Sequence, residues 1–213
     1  PGLAAGSAGD DGARALVRAR LVEQAEALRG EDPLVRVDAP GAVHRMRVAV
    51  RRLRSALRTF RPMLDAARSE PLRRELGWIA GVLGEERDAE VLRARLAALV
   101  AEQPEELVVG PVAQRIDDAL GARRRDAHER VLEAMRSGRY FALVDSLEAA
   151  AAAPPWSDGE WDDVDALAPL VRRDLRRTAR RLQAALDASG DERDRLLHDA
   201  RRAAKRARYA AEA

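Results

Sequence analysis

The chain has 213 residues, 46% of them hydrophobic and 35% charged, which suits one ordinary domain or two small ones with a core of useful size. Its 38 basic residues nearly balance its 36 acidic ones at a net charge of +2, so any electrostatic role must come from how the charges are distributed. The lack of cysteine excludes a disulfide framework, a thiol nucleophile and a thiolate metal site, and with no apolar run near ~18 residues and no signal-peptide pattern the chain reads as soluble and cytoplasmic.

Aromatics make up only 3% of the chain, and Ala, Leu and Arg dominate, so helix is favoured throughout. Residues 1–12 (PGLAAGSAGDDG) read as a linker or disordered start, and the opening on Pro1 rather than Met reads as a fragment. A first helix is expected over about 13–29, with Leu16, Leu21, Ala25 and Leu28 as its apolar stripe and EDPLVRVDAP as its end. A second covers about 40–65, with Pro40 in its first turn and Asp38 as a possible cap. A third (about 70–83) and a fourth (about 86–102) are divided at Gly84, and Pro104 stops the fourth. Helices over about 111–136 and 139–152 meet at Ser137-Gly138, and Pro154-Pro155 opens an acidic connector, WSDGEWDDVD. The last two span about 164–187 and 191–211, the latter preceded by Ser189-Gly-Asp-Glu192 with capping-box spacing. Eight helices and no period-two segment make an all-α bundle.

The charge is unevenly placed. VHRMRVAVRRLRSALRTFR, residues 43–61, holds seven arginines and one histidine, and no acid falls between Asp38 and Asp65. Sliding the chain by 154 residues aligns 15–28 with 169–182 and, without a gap, 43–56 with 197–210. The second alignment puts His44 on His198, Arg47 on Arg201, Arg52 on Arg206 and Arg54 on Arg208, with Arg51 facing Lys205. An Arg/Ala-rich composition accounts for some of these matches, but not readily for two of only three histidines in register. The first copy continues with further helices, whereas the second stops just after Ala210, so by the repeat it is incomplete at the C-terminus.

On a helix, His44, Arg47, Arg51, Arg54 and Arg58 share one face, while Val43, Met46, Val50, Leu53, Leu57 and Phe60 form another. His198, Arg201, Lys205 and Arg208 repeat the cationic line; Asp199 stands where Arg45 does, so Arg45 is incidental. Like charges spaced this way destabilise an isolated helix, and either carboxylates from neighbouring helices or a polyanion must offset them. Arginine's planar fork suits the second, because it donates to two phosphate oxygens at once. Other features read as structure. Asp88 and Glu90 in Arg87-Asp88-Ala89-Glu90 are first-turn acids that could hold basic-face arginines in position. His128 reads as a surface or inter-helix packing residue, Trp78 as core, and Trp156 and Trp161 as loop packing. The connector acids read as a solvated loop, and the histidines are too few and too separated for a metal site. No phosphate-binding glycine loop or nucleophile elbow is present, so no catalytic residue and no cofactor is expected.

VHRMRVAVRRLRSAL, ELGWIAGVLGEERDAEVL and LHDARRAAKRARYAAE together resemble the signature blocks of the CHAD family, the conserved-histidine α-helical domain, and H-x-x-R-x-x-x-[RK]-R-x-R occurs twice. The resemblance implies two pseudo-symmetric four-helix-bundle repeats, a helical domain over 13–213 with repeat one about 13–103, connecting helices about 105–153 and repeat two about 164–213. It implies non-catalytic binding of inorganic polyphosphate by His44, Arg47, Arg51, Arg52 and Arg54, and by His198, Arg201, Lys205, Arg206 and Arg208. It further implies location at polyphosphate granules and an N-terminal CYTH-type domain as a fused partner. A nucleic-acid binder, RNA in particular, and a scaffold for acidic partner proteins are the alternatives. The basic faces lack the aromatic groups that single-strand readout uses.

Overall fold

A computed structural model describes residues 12–212; residues 1–11, where the linker-like start was expected, lie outside the described residues. Seven α-helices run in order: α1 (Gly12–Arg36), α2 (Ala42–Thr59), α3 (Ala66–Ala101), α4 (Val112–Arg136), α5 (Gly138–Ala152), α6 (Leu167–Asp187) and α7 (Gly190–Ala211). Among the described residues the one β feature is an isolated bridge between Leu64 and Trp156. The all-α expectation holds.

The centre of the fold is α2. Val43, Met46, Val50, Leu53, Leu57 and Phe60 are all buried, as their spacing predicts. α1 packs along one side of this stripe and α3 along the other, α4 returns beside α3, and α5 covers α1. The connector after α5 is pinned to the α2–α3 corner by Asp65 N donating to Pro155 O at 2.8 Å and Ser157 N donating to Met63 O at 2.9 Å. α6 and α7 form a hairpin that meets α2 chiefly through α7.

Several sequence expectations are corrected. α1 does not end at EDPLVRVDAP but runs through Pro33, because Val35 is fully buried and Arg36 both pairs with Asp32 at 2.6 Å and donates to Met135 O at 3.0 Å. Packing and ionic contacts there outweigh the missing proline N–H. The third and fourth helices are one 36-residue helix, α3, so eight expected helices become seven. Gly84 lies inside α3, facing the Arg47 side chain, and Leu83 and Glu86 on either side of it are buried. Pro40 stays outside α2. Gly41, left-handed at φ 75°, opens that helix, and Asp38 at φ 50° gives its carboxylate to Arg124 instead of capping. Ser189 stands at the N-terminus of α7 without a side-chain capping bond. Leu16, expected in the α1 stripe, is exposed.

The two aligned segments differ in burial. Leu21 and Leu28 of α1 are 2% and 1% exposed, whereas their counterparts Leu175 and Leu182 of α6 are 51% and 46% exposed. Helix α1 has α2 and α5 against it, while α6 rests mainly on α7.

Beneath the start of α2 lies a buried ionic cluster. His128 Nδ1 is 3.1 Å from Glu86 Oε2, and Arg124 forks onto both oxygens of Asp38 at 2.9 and 2.6 Å. His128 is thus an inter-helix packing residue that also carries a polar contact. Burial pushes the Glu86 carboxyl above its ordinary value, against the pull of His128 and Arg124. Removing the partner of a buried polar group leaves that group unsatisfied. His128→Ala is therefore expected to lower stability by about 2 kcal/mol, read as a lower urea midpoint, with Glu86→Gln in the same chain recovering part of the loss.

Candidate functional site: a cationic groove between helices

The cationic face of α2 does not look into empty solvent. α7 packs against it, and Ser55 Oγ of α2 donates directly to Arg206 O of α7 at 3.2 Å. The arginine rows flanking this seam are thereby brought to the two walls of one groove of about 550 Å³. Arg47, Arg51, Arg54 and Arg58 come from α2, and His198, Arg202, Lys205 and Arg206 from α7. Arg73 of α3 and Tyr209 of α7 complete the lining.

α3 faces two of these side chains with glycine. A Cβ on Gly77 would lie 3.6 Å from Arg54 Nη2, and one on Gly84 would lie 3.7 Å from Arg47 Nη2. The two glycines are seven residues apart, as are the two arginines they face, which is two helical turns on antiparallel neighbours. Each glycine costs about 1 kcal/mol of helix propensity relative to alanine, and a methyl group at either place would meet its arginine at ordinary van der Waals distance.

The groove's charge is poorly compensated from within. Burial first, then Arg73 and Arg202, push the Arg54 guanidinium below the ordinary arginine range. Arg58 is pushed down by burial and by Arg177, and Arg206 by burial and by Arg58 and Arg181, against a weaker pull of Asp174 on both. Arg51 donates to Tyr209 Oη at 3.2 Å, yet its buried Nε has no partner among the described residues. Arg47 reaches Asp88 only at 3.7 Å, and that acid is mostly exposed. The expected bracing of the basic face by Asp88 is present, but loose. Clustered, half-buried cations with few counter-charges give the groove a positive potential that attracts anions.

Of the residues singled out from sequence, Arg47, Arg51, Arg54, Arg58, His198, Lys205 and Arg206 meet in the groove. Four do not line it. His44 lies one turn before Arg47, where burial and then Arg87 and Arg51 hold its pKa below the ordinary histidine value. Arg201 is exposed on α7. Arg52 and Arg208 are drawn away by Glu212, whose carboxylate is 3.3 Å from each and 3.2 Å from the buried Arg20. Both also lie against the Tyr209 ring, 5.6 and 5.0 Å from its centroid. Sequence reasoning missed Arg73, Arg202, Ser55 and Tyr209. Arg202 and Tyr209 sit beside the motif positions in α7, but the helical face that would single them out is set by how α7 crosses α2. Trp78, expected in the core, is partly buried under Arg139, 4.1 Å from its ring centroid.

These features define an all-helical protein with an arginine-walled groove between an N-terminal helical layer and a C-terminal helix hairpin. The chain belongs to the CHAD domain family, whose profile matches residues 19–213. It is 37% identical over 198 residues to an uncharacterized protein of Mycobacterium tuberculosis strain CDC 1551 and equally to one of strain H37Rv, which covers 92% of this chain and 39% of theirs. The chain thus spans about two fifths of the length of these curated relatives. Its fold is similar to PptA from Streptomyces chartreusis, at a TM-score of 0.75 and 27% identity over 92% of this chain and 73% of that one. It is also similar to the CHAD domain from the plant Ricinus communis, at 0.64 and 25%, over 97% and 67%. No helix among the described residues is long and apolar enough to cross a membrane.

The charge environment of His44 gives a direct check. Because its folded pKa is depressed, the folded chain binds fewer protons than the unfolded one just below the ordinary histidine value. The contribution of His44 to stability therefore falls as pH drops through that window and levels off below the folded pKa. Arg87→Gln removes the largest charge acting on it, and an NMR titration of the His44 ring is expected to show its pKa moving up toward the ordinary value.

Proposed function

We propose that this chain is a non-catalytic binding module for inorganic polyphosphate, held in the groove between α2 and α7 and acting in the cytoplasm, at polyphosphate granules where they form. The observation that carries the reading is the set of guanidiniums at Arg51, Arg54, Arg58 and Arg206, which are brought together and left short of counter-charge. A flexible chain of phosphates supplies repeated oxygen pairs to such forks and needs no base-stacking surface. The groove lining offers cations and one phenol, not the carboxylates that would hold metal for phosphoryl transfer, which favours holding over cleaving. His44 fits as an extension of the row: a polyanion laid beside it would raise its depressed pKa, so binding would take up a proton just below the ordinary histidine value. Membership of the CHAD family agrees with the reading. We further take α1–α2 and α6–α7 as the two copies of the internal repeat. A CYTH-type domain joined upstream is a proposal for the longer protein.

Binding driven by neutralisation releases counterions, so affinity should fall steeply as salt rises. The triple variant Arg47→Glu, Arg51→Glu, Arg54→Glu is expected to lose long-chain polyphosphate binding in calorimetric titration while keeping its helical circular dichroism. Retained affinity in that folded variant would move the site elsewhere. Competition with RNA of equal charge separates the ligand classes: polyphosphate is expected to win, and preference for RNA would replace this reading with the nucleic-acid one.

A further inference from the structure

Along the groove between α2 and α7, no lining residue is acidic. At Arg58 the groove meets a second cavity of about 510 Å³, whose walls include Arg61, Arg173 and Arg177. That cavity also contains Asp174, the one carboxylate lining either space. Its position is fixed from α2: Thr59 Oγ1 donates to Asp174 Oδ2 at 2.6 Å, and Arg173 Nη2 returns a bond to Thr59 O at 3.1 Å. The last residue of α2 thus holds a negative charge just beyond the end of the arginine row. In sequence the same acid interrupts RRDLRR, residues 172–177, a run otherwise made of arginine and one leucine.

We propose that Asp174 is an end-stop, a specificity-determining residue that closes the anion track at Arg58; the proposal rests on the polyphosphate reading of the groove. A phosphate chain lying along Arg47, Arg51, Arg54 and Arg58 meets a fixed like charge if it continues toward Arg61 and Arg177. It therefore turns out to solvent, although the cavity ahead is rich in arginine. The bound stretch is confined to the α2–α7 groove, and the second cavity stays unused by ligand.

The test compares long-chain polyphosphate with tripolyphosphate, which is short enough to lie within the first groove. Asp174→Asn removes the charge and keeps an oxygen to accept from Thr59. It is expected to tighten long-chain binding about fivefold, the effect of removing one partly screened like-charge contact, and to steepen the salt dependence, because the second cavity's arginines now join. Tripolyphosphate affinity is expected to rise much less, by no more than the pull that Asp174 exerts on Arg58 and Arg206. Glu160→Gln removes an equal charge from the exposed connector and should alter neither. Equal tightening for both ligands, or no tightening, would overturn the end-stop. A second arm does not depend on how Asp174→Asn folds: in the otherwise native chain, Arg61→Gln with Arg177→Gln should leave long-chain affinity unchanged, and a severalfold loss would show that ligand already passes Asp174. If the native chain binds neither polyphosphate, it is the polyphosphate reading that fails, not the placement of the stop.

Discussion

The repulsion along α2 is the constraint on which the rest of the structure depends. A helix that places Arg47, Arg51, Arg54 and Arg58 in one line is unfavourable alone, and it folds because the opposite stripe from Val43 to Phe60 is buried between α1 and α3. Burial of that stripe anchors the backbone so firmly that the cationic side need not be neutralised. α7 then adds more cations instead of cancelling them. A structure selected only for stability would have put carboxylates across from these arginines, as it does at Arg139–Glu75 and Arg93–Asp117 on the outer surface.

The same side chain type meets opposite fates within one helix. Arg52 and Arg54 are neighbours but one on, yet Arg52 is drawn to Glu212 and the Tyr209 ring while Arg54 is left among Arg73 and Arg202. Glu212 gathers Arg20, Arg52 and Arg208 into a fixed ionic corner that ties the end of α7 to α1 and α2. Tyr209 stands between the two populations, its ring against Arg52 and Arg208 and its hydroxyl on Arg51. Some of the arginines build the groove, and others are what it presents.

What the sequence disclosed follows from periodicity. Spacing of three and four residues placed both faces of α2 correctly, because helical geometry alone decides which side chains share a side. Spacing could not say that Arg52 turns to Glu212, which lies far along the chain, nor that Arg208 turns to the same acid four residues on. Nor could it supply Arg73, which belongs to α3 and joins only through the α2–α3 pairing. Gly84 was read as a break on local propensity, whereas α3 runs through it with Leu83 and Glu86 buried on either side. Pro33 misled in the same way, through a local cost that packing of Val35 overrides. Resemblance to the CHAD blocks marked the two helices that wall the groove, but marked Arg52 and Arg208 with the same weight as Arg51 and Lys205.

Lys205 is the sole lysine in the chain, and it stands on the groove wall among guanidiniums. Arginine keeps its proton and resists acylation under conditions where an ammonium group can lose its proton and react. Chemistry directed at side-chain amines therefore meets this protein at a single place, and that place is inside the groove. Acetylation there would subtract one charge from the groove wall, so the lone side-chain amine ties the chain's amine reactivity to the charge of the groove.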